Sequence, residues 1–213
     1  MSSGAFLFRF SLGMAAGVGA VALALSWGTG TAQPQGAVLG VEAVRSPVEA
    51  RLGHIASALA GKRVEVRCWS RADWIPLLRE QRPALSPDAI GFAGIGGRRI
   101  NLGPEVCGAL TVLAYDRGQP ADEGPRLRLA AAVVTLTHEP QHSKGIADEA
   151  VAECLAIQLA PRTALMLGVS RRYTAVLMRT YWSHYDQEPT AYRSPACRKG
   201  GALDLANADS IWP

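Results

Sequence analysis

Thr137-His138-Glu139-Pro140-Gln141-His142-Ser143-Lys144-Gly145-Ile146-Ala147-Asp148-Glu149 is the stretch on which the reading of this chain turns. Residues four apart lie one above the other on a helix, so a helix through His138 and His142 aims both imidazoles at one point. Just upstream, residues 127–136 read Leu-Arg-Leu-Ala-Ala-Ala-Val-Val-Thr-Leu, a nearly unbroken apolar run of the kind that marks a buried central helix. Two imidazoles and a carboxylate at the end of such a helix are costly unless they are paired or bind a metal. Downstream, Gly145 can supply a left-handed C-cap, and Asp148 can open a second helix in which Glu149 and Glu153 share a face. Two histidines from one helix and a carboxylate from the next make a three-ligand site with one position open, an arrangement suited to Zn²⁺.

The same residues spell His-Glu-x-x-His, the spacing of zinc-dependent peptidases. In that setting Glu139 sits beside the metal, where it can take a proton from a water the metal acidifies and pass it to a leaving group. Taken alone, the pattern also fits an amphipathic helix with polar residues on its solvent face. Pro140 adds a local cost, because a proline inside a helix lacks the N–H that would bond the carbonyl of Leu136 and clashes with it, at about 3 kcal/mol. The expectation is a kink before the motif, or a helix that restarts at Thr137 with Pro140 in its first turn.

Three carboxylates compete to complete the site. The string His-Glu-x-x-His-x-x-Gly-x-x-Asp ending at Asp148 resembles the metzincin arrangement with aspartate in place of the usual third histidine, as in snapalysin-type secreted peptidases. That resemblance implies Asp148 as ligand and a methionine turn beyond it, for which Met166 and Met178 are available. The second reading resembles the gluzincins, whose following helix carries a glutamate ligand in a context matched here by Glu149, Ala152, Leu155 and Ala156. It implies Glu149 as the ligand and Glu153 as the partner that orients a ligand imidazole through its other ring nitrogen. Glu149 is the favoured choice, with Asp148 and Glu153 as rivals. The plain alternatives are a helix N-cap for Asp148 and a surface charge for Glu153.

From Cys68 onward the chain also resembles a group of uncharacterised secreted or membrane-anchored proteins of high-GC actinobacteria that look like minimal zincins. The matching pieces are His138-Glu139-x-x-His142 with Gly145, the run Asp148-Glu149-Ala150-x-Ala152-Glu153-Cys154, and the ending Tyr192-Arg193-Ser194-Pro195-x-Cys197-Arg198-x-Gly200-Gly201-x-Leu203-Asp204-Leu205. Pro140 departs from the small or hydrophobic residue usual at its position. The resemblance implies a small zincin-like fold and no particular substrate.

The beginning of the chain reads as a targeting segment. Arg9 precedes an uncharged apolar stretch from Phe10 to Trp27, and Gly30-Thr31-Ala32 offers a small-x-small cleavage site. Residues 1–32 are therefore a secretory signal peptide or, if uncleaved, a membrane anchor near the length needed to span a bilayer. Residues 33–45 read as a linker, and 46–213 as one zincin-like domain, within the usual size of a single core. Either fate of the signal places the domain in the cell envelope or the medium.

The four cysteines, Cys68, Cys107, Cys154 and Cys197, all follow the signal and show no Cys-x-x-Cys spacing. In an oxidising compartment they read as two disulfides, and of the three possible pairings the sequence neighbours Cys68–Cys107 and Cys154–Cys197 are favoured. The net charge of +4 is small, and the basic residues, including Arg98-Arg99 and Arg171-Arg172, do not cluster with aromatics, so no nucleic-acid partner is expected.

Ser46-Pro47-Val48-Glu49 is a capping box that opens a helix over residues 47–59. Residues 63–68 alternate as a strand, 70–80 form a short helix, and 90–102 form a hairpin around Gly96-Gly97. Helices follow over 104–115, 127–144, 148–159 and 170–185, and from 189 on an irregular, disulfide-held tail. This order is α+β, mostly helical with a short β-hairpin or sheet. By likeness to the zincin core, the segment Arg99-Ile100-Asn101-Leu102 would be the strand that runs along the cleft and binds a peptide by strand addition; a plain structural strand is the alternative. Tyr173, Tyr181, Tyr185 and Tyr192 are candidates to stabilise an oxyanion.

The function these readings point to is an exported zinc-dependent hydrolase acting on a peptide or protein substrate. His138, His142 and Glu149 would hold Zn²⁺, with Glu139 as catalytic base and then acid. The rival is a non-catalytic envelope protein that keeps the zincin shape as a binding or scaffold module.

Overall fold

A computed structural model describes residues 46–81, 88–205 and 212 of the chain. The signal or anchor expected at 1–32 and the linker at 33–45 lie outside the described residues. Among the described residues no helix is long and apolar enough to cross a membrane.

The first helix, α1 (Pro47–Ala60), starts where its capping box predicts. The Glu49 amide donates to Ser46 Oγ, the Glu49 carboxylate accepts from the Ser46 amide, and Gly61 ends the helix at φ 67°. Glu49 is buried and also accepts from the amide of Cys68 at 2.9 Å, so one side chain closes the helix start and holds the next strand beside it. That strand is β1 (Glu65–Cys68). After it come α2 (Arg71–Glu80), β2 (Gly91–Ala93) and β3 (Arg99–Leu102).

The three strands form one sheet in the order β1-β3-β2, with β3 parallel to β1 and antiparallel to β2. The predicted hairpin is the β2–β3 pair. The placement of Arg99–Leu102 as a cleft strand is corrected: it is the central strand, bonded on both sides, so it has no free edge for a peptide to add to. Ile100 and Leu102 are fully buried because the inner sheet face packs on α1 and the helix after α3, described next. The outer face carries Phe92 and Asn101 and is covered by α2, where Trp74 stacks on Phe92 at 5.7 Å and Trp69 Nε1 donates to Asn101 Oδ1.

Four elements complete the framework. Pro104–Thr111 forms α3, tied to the end of β1 by the disulfide Cys68–Cys107. Its last predicted turn widens into a π-turn at Val112–Asp116, which closes at Arg117 with φ 52°. Glu123–Ser143 is α4, buried without interruption from Leu129 through Ser143, as expected of a helix apolar on all sides. It starts four residues earlier than its apolar run, after Asp122 as N-cap residue. It also does not restart at Thr137. Pro140 sits in its last turn, where one lost backbone hydrogen bond is set against a helix already held by its buried flanks.

Glu149–Met166 forms α5, which passes the expected stop near 159 and takes Pro161 inside it, since Ala160, Thr163 and Ala164 are all buried against the core. Arg171–Trp182 forms α6, capped by Ser170. The tail turns back through single turns of 3₁₀ helix at Tyr185–Gln187 and Thr190–Tyr192. The Cys154–Cys197 disulfide pins it to α5, and the buried Gln158 amide donates to Leu203 O and accepts from the Leu205 amide, both at 2.9 Å. Both disulfides join sequence neighbours. A closed loop of about 40 residues stabilises a fold by roughly 3 to 4 kcal/mol on chain-entropy grounds. Two such bridges fit an oxidising compartment. The architecture is thus α+β: mostly helical, with a three-stranded sheet and α4 at the centre.

Candidate metal centre

The turn between α4 and α5 builds the site. Gly145, at φ 101°, donates to the carbonyl of His142, and the Ile146 amide donates to the carbonyl of Gln141. This Schellman pair satisfies carbonyls that a helix end leaves without partners. It also swings the Ile146 carbonyl onto His142 Nδ1, at 2.7 Å. Two residues later Asp148 caps α5, accepting from the Val151 amide at 2.9 Å while its side chain stays in solvent. Asp148 thus occupies the cap position and stands apart from the histidines. Glu149, the first residue of α5, points back at them, 3.0 Å from His138 Nε2 and 3.3 Å from His142 Nε2. Glu153, one turn along and fully buried, takes the other ring nitrogen of His138: Nδ1 lies 2.8 Å from its Oε2.

The tautomers follow from these partners. His142 Nδ1 faces a carbonyl, which can only accept, so that nitrogen carries the proton. His138 Nδ1 faces a carboxylate and acts the same way. Each Nε2 then presents a lone pair, and the two lie 3.0 Å apart with a Glu149 oxygen beside both. Three lone-pair atoms this close repel one another unless a cation or a proton sits among them. Without a metal, the proton falls to His138. Burial pulls its pKa down, but hydrogen bonds to Glu149 and Glu153 outweigh that and hold it up at about 10. Burial would likewise raise the Glu149 carboxyl, yet the two imidazoles hold it below its usual range. A divalent ion fits the same position, because His138, His142 and Glu149 offer ligand atoms all within 4.8 Å of one another.

Glu139 lies on the neighbouring face of α4, 2 % exposed, with its pKa pushed up to about 7 by burial against the pull of the two histidines. Its Oε2 has no hydrogen-bond partner among the described residues, which is rare for a buried carboxylate oxygen. Above it passes β2. A Cβ added at Gly91 would lie 3.2 Å from Glu139 Oε1 and 2.8 Å from Thr135 Cγ2, so only glycine lets the strand come this close to the motif. The hairpin tip is fastened to the same helix end, Gly96 donating to the carbonyl of His142 at 2.8 Å.

Of the four tyrosine candidates, Tyr192 is the one at the site, its ring centroid 6.0 Å from that of His138 and 2 % exposed. Burial and the carboxylates of Glu149 and Glu139 push its hydroxyl pKa well up, keeping it a neutral donor. Tyr181 supports from behind, donating to Glu153 at 2.5 Å. Tyr185 bonds the tail backbone, and Tyr173 reaches Pro120 O, away from the motif. One residue escaped the sequence reading: Glu188, 7 % exposed, whose Oε1 is 3.3 Å from the Tyr181 hydroxyl. No motif or periodicity links it to the histidines, so no signal in the sequence could have found it.

Fold and site together define a class: a small, disulfide-braced α+β protein with a buried two-histidine, one-glutamate cluster that can hold a metal ion. No family model matches this chain, and no match is found among curated proteins or solved structures.

Proposed function

We propose that the chain is an exported zinc-dependent hydrolase of the small-zincin type, acting on peptide bonds. The observation that carries this reading is the pair of Nε2 lone pairs facing each other beside Glu149, with a Glu139 oxygen that has no hydrogen-bond partner among the described residues on the adjoining face. His138 Nε2, His142 Nε2 and a Glu149 oxygen would hold the ion. A bound Zn²⁺ supplies a Lewis acid that polarises a carbonyl and acidifies water. Glu139 takes a proton at Oε2 from the attacking water and returns it to the leaving amine as the C–N bond breaks. Tyr192 donates from its hydroxyl toward the developing oxyanion. The edge strand next to the motif is β2, whose Gly91 lies over Glu139, and a peptide substrate extends the sheet there.

One observation favours the non-catalytic scaffold instead. His138, Glu139, His142 and Glu149 are at most 6 % exposed, a closure typical of ions held for stability. Two variants separate the readings. Elemental analysis of the purified protein should find near-stoichiometric zinc that is lost in His138→Ala. Glu139→Gln should keep the zinc and lose peptide hydrolysis. Zinc-free protein that folds normally and takes up no added metal ends both metal readings, and hydrolysis unchanged in Glu139→Gln ends the catalytic one.

A further inference from the structure

Behind the histidine–glutamate cluster a line of buried polar groups crosses three helices and the tail. His138 Nδ1 on α4 meets Glu153 Oε2 on α5 at 2.8 Å, Glu153 Oε1 meets the Tyr181 hydroxyl on α6 at 2.5 Å, and that hydroxyl meets Glu188 Oε1 in the tail at 3.3 Å. All four residues are at most 7 % exposed, so these contacts lie out of bulk solvent.

Counting protons fixes the direction of the line. If His138 Nε2 is to keep a lone pair for a metal, Nδ1 must carry the ring proton and Glu153 must accept it. Glu153 also accepts from Tyr181, whose hydroxyl has one proton and spends it there. The contact between Tyr181 Oη and Glu188 Oε1 then needs a second proton, and with Glu153 already the acceptor of two bonds it belongs to Glu188. We infer that Tyr181 and Glu188 are positioning residues for the metal ligand His138, with Glu188 held as a neutral acid that donates through Tyr181 to Glu153. The inference rests on the metal reading above.

The surroundings agree with this assignment. The titratable groups facing Glu188 are Glu153 from α5, Tyr181 from α6, His138 from α4 and Tyr192 from the tail. Burial first, then the charge of Glu153, pushes the Glu188 carboxyl up to about 8. Its second oxygen is buried without a hydrogen-bond partner among the described residues, a position that an ionised carboxylate tolerates far less well than a neutral acid. The Cys154–Cys197 bridge follows Glu153 directly and holds the tail that delivers Glu188 to its place.

The test uses the full chain, zinc and Co²⁺ as probes, and four proteins: wild type, Tyr181→Phe, Glu188→Gln and Glu188→Ala. Loss of a partner that orients a ligand imidazole weakens metal binding about 10- to 100-fold, and Tyr181→Phe and Glu188→Ala should each fall near the lower end. Glu188→Gln should bind zinc as wild type does, because its amide N–H replaces the acid O–H toward Tyr181. The Co²⁺ visible spectrum should change in Tyr181→Phe and be unchanged in Glu188→Gln, a distinction that a general loss of stability does not produce. Infrared difference spectra of the metal-free protein at neutral pH, wild type minus Glu188→Gln, should show the C=O stretch of a protonated carboxyl, since any band from Glu139 is common to both and cancels. Wild-type affinity and spectrum in Tyr181→Phe would overturn the positioning role, and a Glu188 with only carboxylate bands would overturn the neutral acid. A wild type that binds neither ion defeats the metal reading and the positioning role with it, while the infrared band still decides the state of Glu188.

Discussion

Replacing Gly91 by alanine should strain the contact between β2 and the motif helix, by an amount the geometry sets. The new methyl would lie 2.8 Å from Thr135 Cγ2 and 3.2 Å from both Leu102 Cδ2 and Glu139 Oε1. Carbon atoms pack comfortably at about 3.5 to 4.0 Å, so the strand or the helix must shift by about 0.7 Å or more. Neither is free to do so: Thr135 and Leu102 are fully buried, and the hairpin is bonded to β3 and to the carbonyl of His142. Overpacking of this kind costs about 1 to 3 kcal/mol. Urea unfolding of Gly91→Ala should show that loss as a lower midpoint with an unchanged slope. Thr135→Ser provides the control, because it removes Cγ2 and keeps the hydroxyl that donates to Ala131 O at 2.9 Å. Alone it should cost about 1 kcal/mol for one buried methyl. Combined, the alanine methyl fills the space the threonine methyl leaves, and the double variant should be more stable than the sum of the singles by about 1 to 2 kcal/mol. Additivity within about 0.5 kcal/mol would refute the contact.

Two further outcomes follow from the site. Metal-free protein should lose thermal stability as pH rises. The pKa values of Glu139, Glu188 and His138 are raised from 4.5, 4.5 and 6.5 to about 7, 8 and 10, so each stabilises fully below its unfolded value and ceases to as pH passes its folded one. Melting with a chelator should therefore show Tm falling between pH 4.5 and about 10, less steeply when zinc has replaced the His138 proton; a flat profile without metal contradicts the proton assignment. Asp148→Ala should cost about 1 kcal/mol through loss of the α5 cap and leave zinc stoichiometry unchanged, and loss of zinc would make Asp148 a ligand after all.

The parts of this protein that could be read in its sequence are those set by local geometry. One helical turn relates His138 to His142, the C-terminal glycine at 145 and the cap at Asp148 together aim Glu149, and the Ser46–Glu49 box starts α1. What could not be read depends on distant packing. Nothing local to the three short strands says which of them is central, and only the approach of β1 from the N-terminal side makes β3 so. Helix α5 runs on past its expected end because neighbours bury its later turns, which propensity does not report. Glu188 is 35 positions from Glu153 in the chain and reaches it only because the tail folds back over α5.

The Schellman turn between α4 and α5 also acts as a ruler. The residues from Gly145 to Asp148 close one helix, hold the ring of His142 and set the rotational phase of the next helix. Each residue advances a helix by about 100°, so one residue added to or removed from the turn between Gly145 and Asp148 would carry Glu149 off the face it now presents. Substitutions at Ile146 and Ala147 can be absorbed, those at Gly145 and Asp148 carry a cost in stability, and a change in the length of the turn cannot be absorbed. Among descendants or redesigns of this chain, the spacing from His142 to Glu149 should therefore hold fixed while the surface around it drifts, and a variant of altered spacing would have to recruit a different carboxylate.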